Sequence, residues 1–219
     1  MTLHNPIRTS GRNTSVRIGL DFDNTLADYD GLFATLALEE GLLPGHGPAS
    51  KRDIRDRVRA LPNGESEWQR LQAIAYGPRM SEARLMPGAA RFLDLAQRYG
   101  IELTVVSHKS RRAAYQGVTD DLRDAASQWM TALGFGAYGL TPDRVHFEDS
   151  RAAKVERIHE LALTHFVDDL EEVFRHPDFP PDVSGILFDP RGIAAPGAFR
   201  RCATWDEIAL ATLGAVHAY

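Results

Sequence analysis

Val16-Arg17-Ile18-Gly19-Leu20, running into Asp21-Phe22-Asp23-Asn24-Thr25, decides how this chain is read. An apolar run of strand length ends in two carboxylates separated by one aromatic residue. As a buried strand it would put both acids at its carboxyl end, where open α/β sheets hold their ligands. Residues two apart on a strand point the same way, so Asp21 and Asp23 are expected to face one cleft while Phe22 turns toward the core. Two carboxylates aligned in that way repel unless a cation or a proton intervenes.

Working outward, apolar runs at 101–106, 144–147, 164–167 and 185–188 also read as strands. Helical spacing separates most of them: Phe92, Leu95, Ala96 and Tyr99 lead up to Gly100, and Leu122, Ala125, Ala126, Trp129, Met130 and Leu133 lead up to Gly134. Short buried strands alternating with helices predict an α/β fold with a doubly wound parallel sheet and right-handed connections. Two more of the predicted strands end in polar groups. Val105-Val106 is followed by Ser107, and His165-Phe166-Val167 by Asp168 and Asp169, while Lys154 opens an amphipathic helix. Each motif is weak by itself; four in this order, three of them on strand ends, are specific.

The stretch 30–84 breaks the alternation. It shows helical spacing at Leu32, Phe33 and Leu36, then at Ile54, Val58 and Leu61, then at Trp68, Leu71 and Ala75, with no strand between. The expected organisation is therefore an α/β core of 16–29 and 85–219, a small helical insertion at 30–84, and a disordered arm at 1–15 rich in Asn, Thr, Ser and Arg. Met86-Pro87-Gly88 reads as the return into the core, and the prolines of 176–184 as a surface loop.

At 219 residues the chain can bury a full core with one insertion. A formal charge of −5 disfavours a broad nucleic-acid surface, which needs a basic field. Cys202 is the only cysteine, which permits no internal disulfide and fits a reducing compartment. No stretch approaches a membrane span, and 1–15 has no apolar block like that of a secretory signal. A cytoplasmic protein with neither nucleic-acid polymer nor membrane as partner is expected.

The four segments in this order resemble those of the haloacid dehalogenase-like hydrolases, over 16–189. That resemblance places a helical cap directly after the first strand. It implies Mg²⁺ as cofactor, held by the carboxylates of Asp21 and Asp168 and the backbone carbonyl of Asp23, with Asp169 a further ligand or a partner of the ligands. Asn24 would offer its backbone N–H to the phosphate, and Thr25 would brace the turn. Asp21 would be the nucleophile and Asp23 the general acid and then base. Dehalogenases and phosphonatases of similar fold lack an acid at the place of Asp23, because their leaving groups do not need it. Ser107 would donate a hydrogen bond to the phosphate and Lys154 would neutralise it. Lys109, two residues after Ser107, competes for the role of Lys154, which motif order and a preceding strand favour. Glu171 and Glu172 read as a solvated helix start. Ser107-His108-Lys109-Ser110, together with Phe166-Val167-Asp168-Asp169-Leu170-Glu171-Glu172-Val173-Phe174, is similar to an uncharacterised branch associated with surface-polysaccharide biosynthesis.

The function these residues imply is a Mg²⁺-dependent phosphatase acting on a small phosphorylated metabolite through an aspartyl phosphate. A phosphotransferase or mutase using the same intermediate, and a non-catalytic module that binds a phosphorylated ligand, are the rivals. Substrate contacts are expected from His108 and Lys109 and, in the insertion, from Arg79, Tyr76 and Trp68. The spacing of Ile54, Val58 and Leu61 turns most of Lys51, Arg52, Arg55, Arg57 and Arg59 toward solvent.

Overall fold

Short strands, the inner ones buried at consecutive residues and so on both faces, build one six-stranded sheet. The computed structural model describes residues 15–44 and 50–214; the expected arm at 1–15 lies outside the described residues but for Ser15. The strands are β1 (Arg17–Leu20), β4 (Glu102–His108), β5 (Val145–Glu148), β6 (His165–Asp168), β7 (Ser184–Phe188) and β8 (Arg200–Cys202). They are all parallel, in the order β5-β4-β1-β6-β7-β8. From β1 the chain winds outward to β4 and β5, then returns to the other side of β1 with β6. The winding therefore reverses between β1 and β6, and a crevice opens there at the carboxyl edge.

Helices cover both faces. Ile18, Leu20, Val105, Val167 and Ile186 point to one side, where they pack with residues of α4 (Ala89–Arg98), α5 (Leu122–Ala132) and α8 (Trp205–Thr212). Val106, Phe166 and Leu187 point to the other, against α6 (Arg151–Glu160) and the short α7 (Glu171–Phe174). Adjacent residues of one strand thus serve opposite layers, as a doubly wound sheet requires. Gly19 is glycine because the layer is tight: a Cβ there would come within 2.4 Å of Leu163 and 2.6 Å of Phe166.

Phe22 is fully buried, with Trp129 and Phe147 edge-on at 5.4 and 5.8 Å, as the alternation of the first segment predicts. Past it, two short strands unforeseen from the sequence pair antiparallel: β2 (Ala27–Asp28) and β3 (Arg84–Leu85). Between them lie α1 (Asp30–Glu39), α2 (Lys51–Arg59), α3 (Gly64–Tyr76) and a 3₁₀ turn at Met80–Glu82. The three helices pack on one another through Phe33, Leu36, Ile54, Val58 and Leu71, with Phe33 and Trp68 stacked at 4.8 Å. The indole of Trp129 in α5 donates to the carbonyl of Ala83 at 2.9 Å, tying the returning chain to the core.

The strand β8 was also not foreseen. Cys202 is buried at its end. Among the described residues no helix is long and apolar enough to cross a membrane.

Candidate active site

Asp21 follows β1 directly, and its N–H donates to the carbonyl of Val167 in β6 at 2.9 Å, so the ladder carries it to the edge of the crevice. Asp168 closes β6. Both are buried, and α6 sends Lys154 between them: its ammonium donates to Asp21 Oδ1 at 2.5 Å and to Asp168 Oδ2 at 2.6 Å. Ser150 caps α6 by accepting from the N–H of Ala153, which fixes the turn carrying Lys154. Burial of the ammonium favours its neutral form, yet the two carboxylates outweigh burial and raise its pKa.

Asp169 turns its Oδ2 to the side-chain amide of Asn24, 3.2 Å away. Oxygens of Asp21, Asp168 and Asp169 all lie within 4.8 Å of one another. Burial, with the charge of Asp21 added, pushes the Asp168 carboxyl up to about 7 although Lys154 opposes it. Burial and the charges of Asp168 and Asp21 hold Asp169 well above the ordinary carboxylate range. Three converging oxygen donors, two buried and one half-buried, with more negative charge than one ammonium can balance suit a hard divalent cation such as Mg²⁺.

Asp23 stands apart from that cluster. Its carboxylate accepts from the Tyr29 hydroxyl at 2.5 Å and from the Lys109 ammonium at 3.0 and 3.1 Å. Burial alone would raise its pKa; Lys109, Tyr29 and Lys51 together bring it below the ordinary value. Lys109 is held by its backbone, since its N–H donates to Glu148 and its carbonyl accepts from Arg123 at 2.8 Å. The two lysines that competed for one role on sequence grounds thus occupy two positions, Lys154 on Asp21 and Asp168, Lys109 on Asp23. Ser107 is buried at the end of β4, on the same edge of the sheet, and His108 beside it is exposed.

Three groups expected at the site make other contacts in this structure. The backbone N–H of Asn24 donates to the Ala27 carbonyl at 2.9 Å, within a turn where Asn24 has φ 59°, so it is the side chain of Asn24 that reaches the site. Arg79 is not brought to the carboxylates: its guanidinium is held by Glu39 and by Glu82, the latter at 2.6 Å. Trp68 is buried inside the insertion against Phe33. Tyr76, by contrast, does face the site, with the Lys109 ammonium 4.8 Å from its ring centre.

Lys51 was missed. Its ammonium lies 3.0 Å from Asn24 Oδ1, and its ring neighbours are Tyr29, Phe33 and Tyr76. The signal was present in the sequence, since Lys51 shares a helix face with Ile54 and Val58, three and seven residues on.

No family model matches the chain, and no curated protein matches it. Among solved structures, it is similar to a HAD family hydrolase from Deinococcus radiodurans R1 with bound phosphate and sodium, at 13% identity and TM-score 0.56, over 92% of this chain and 96% of that one. It is similar too to Protein Tyrosine Kinase A of Mycobacterium tuberculosis, at 17% identity and TM-score 0.57, over 91% and 99%. A third is a family IA, variant 3 HAD hydrolase from Entamoeba histolytica HM-1:IMSS, at 12% identity and TM-score 0.55, over 90% and 97%. Identities this low speak to the fold. None of these structures points to the narrower polysaccharide-linked branch.

Proposed function

Because the chain has the fold of the haloacid dehalogenase-like hydrolases, we propose that it is a Mg²⁺-dependent phosphatase for a small phosphorylated metabolite, working through an aspartyl phosphate on Asp21. One observation carries this reading: the carboxylates at the switch point fall into two sets. Asp21, Asp168 and Asp169 converge with Lys154, whereas Asp23 keeps its own partners, Tyr29 and Lys109. Two carboxylates in different surroundings suit two different tasks, nucleophile and proton carrier.

In this reading an oxygen of Asp21 attacks phosphorus, and the ester oxygen leaves with a proton from Asp23. The same Asp23 then takes a proton from the water that splits the aspartyl phosphate. Asp23 must carry a proton when the ester breaks. Phosphate oxygens competing for the Lys109 ammonium would weaken the pairing that otherwise keeps Asp23 ionised. Lys154 holds Asp21 in one rotamer and offsets charge as the phosphoryl group arrives, and Ser107 donates to a phosphoryl oxygen. Asp21, Asp168 and Asp169 would hold the Mg²⁺, which supplies neutralisation of the phosphoryl oxygens. The helices α1–α3 form the cap, which excludes bulk water from the crevice.

The test is release of phosphate from p-nitrophenyl phosphate with Mg²⁺. Activity abolished by chelation and restored by the ion, with a rapidly quenched phosphoenzyme that Asp21→Asn no longer forms, is expected. Full turnover in excess chelator, or an undiminished phosphoenzyme in Asp21→Asn, overturns the reading. Adding a hydroxyl acceptor and finding the phosphate on it would favour a transferase.

A further inference from the structure

Three ammonium groups surround the site, and they differ in what balances them. Lys154 is paired with Asp21 and Asp168, and Lys109 with Asp23. Lys51 is in none of the described ion pairs; its hydrogen-bond acceptor is the neutral amide oxygen of Asn24 at 3.0 Å. Its charge also acts on the Tyr76 hydroxyl and, beyond ion-pair distance, on the carboxylates of Asp23 and Asp169, and it faces aromatic rings at 5.5 Å from the centre of Tyr29, 5.7 Å from Phe33 and 5.2 Å from Tyr76. Aromatic faces stabilise a cation without neutralising it. An ammonium has three N–H donors, so further donors remain for an anion.

The position of this charge is fixed from three directions. Ser50 and Asp53 form a capping box at the start of α2. Asp30 at the start of α1 accepts the Lys51 N–H at 2.7 Å, and Arg191, from the core loop after β7, donates to Ser50 Oγ at 2.8 Å. These contacts hold the backbone at Lys51, and Asn24 with the three rings confines its ammonium, so the side chain loses little further freedom when it binds a ligand. The ring of Tyr76 lies against both Lys51 and Lys109, at 5.2 and 4.8 Å, so the two ammoniums sit around one aromatic wall on the Asp23 side. In the phosphatase reading that is the side of the leaving group.

We propose that Lys51 is the specificity-determining residue of this site, and that the substrate is a phosphate monoester whose leaving group carries a second anion, a carboxylate or another phosphate, close to the ester oxygen. The proposal rests on the phosphatase reading above. Lys154 and Lys109 are each ion-paired directly with carboxylates of the chain, whereas Lys51 acts on Asp23 and Asp169 only from beyond ion-pair distance, which leaves its ammonium placed to contact an anion that arrives with the ligand. Its neighbours Tyr29 and Tyr76 would wall a short substrate chain.

Matched pairs of probes test this: 3-phosphoglycerate against glycerol 3-phosphate for the carboxylate, and glycerol 1,3-bisphosphate against glycerol 3-phosphate for the second phosphate. Wild type should favour the doubly anionic member of one pair at least tenfold in kcat/KM, and which pair it is tells the two anions apart. Lys51→Met, which keeps the stem among the rings, should lower kcat/KM for that member by about ten- to a hundredfold, mostly through KM, and remove the preference. Lys51→Arg should restore most of it. Lys51→Gln repeats the comparison should the Met variant melt early. Turnover of p-nitrophenyl phosphate by wild type without preference in either pair overturns the role of Lys51 alone, as does a Lys51→Met loss equal for both members. No Mg²⁺-dependent turnover of p-nitrophenyl phosphate removes the phosphatase reading, and this proposal with it.

Discussion

Lys154 touches two buried carboxylates at once, and its removal would separate its two contributions. With Lys154→Met, Asp21 and Asp168 would face each other buried and without a counter-charge. Breaking a buried pair by deleting one partner costs about 3–5 kcal/mol, so urea denaturation in chelator should show a loss of that order. An unchanged midpoint would mean that the carboxylates are already neutral or solvated. Asp23 calls for a different measurement. Asp23→Asn keeps the backbone carbonyl and the shape of the side chain but removes the proton carrier, so kcat should fall about 10²- to 10⁴-fold. Metal affinity should stay near that of wild type, because the Asp23 carboxylate faces Tyr29 and Lys109 and not the Asp21, Asp168 and Asp169 cluster. A wild-type rate in this variant refutes the assignment. At this scale the sequence revealed residue types better than partners. It identified Asp21, Asp168 and Lys154, which the structure brings together. It could not divide the lysines between carboxylates, since whether Lys109 meets Asp21 or Asp23 depends on a loop held by Arg123 from α5. Arg79 is held instead by Glu82, three residues on, and by Glu39, forty residues back across the insertion, a pairing that helical spacing alone does not decide.

Elements with a strong period were legible, and those without one were not. β1, β4, β6 and β7 lie where apolar runs placed them, because a strand buried on both faces must be largely apolar; β5, half-buried at the sheet edge, shows only Val145 and Phe147 as apolar positions and still lies where its run placed it. β8 reads Arg200-Arg201-Cys202, exposed at two of its three residues, as an edge strand can be. β2 and β3 have two residues each, too few to show any alternation. Their pairing is a tertiary consequence of the chain leaving the core and returning at one place. Gly19 offers a prediction at this scale. The apolar run alone would accept Ala or Val there, but the close approach of Leu163 and Phe166 would not. Gly19→Ala would force those two side chains aside, and overpacking of that kind costs about 1–3 kcal/mol. Thermal unfolding should show the loss, and a small distortion next to Asp21 should lower kcat along with it. A Gly19→Ala protein as stable as wild type would mean that the layer around β1 and β6 yields readily.

For the whole molecule, pH and metal act on the same buried charge, and their interplay is measurable without turnover. The Asp168 carboxyl sits at about 7 in the folded chain, against an ordinary value of 3.8, and Asp169 is shifted the same way. The folded state therefore binds protons more tightly than the unfolded one, and these groups favour folding at low pH. Their contribution is lost as pH rises from about 4 toward 7. Asp23 has the opposite sign: its lowered pKa stabilises the fold above the ordinary carboxylate range, and that contribution is lost as pH falls below it. His146 and His165, whose pKa values burial lowers, also favour the fold at higher pH and lose that stabilisation as pH falls through about 6.5. A single pH profile of stability mixes these terms. The difference between profiles with and without Mg²⁺ isolates the carboxylates, because the ion binds their ionised forms and must displace protons at low pH. At a hundred times its dissociation constant, a ligand of the folded state adds about 2.7 kcal/mol, equivalent to roughly 5–10 °C in Tm for a chain of this size. That rise is expected at pH 8 in calorimetry against a chelator control, and at pH 5 it should shrink to a small fraction of itself. Asp169→Asn, which removes one ligand and one of the raised carboxyls, should reduce the Mg²⁺ effect at pH 8 and stabilise the metal-free protein there. An equal Mg²⁺ shift at both pH values would place the ion elsewhere on the protein, and no shift at either would deny that Asp21, Asp168 and Asp169 form a metal site.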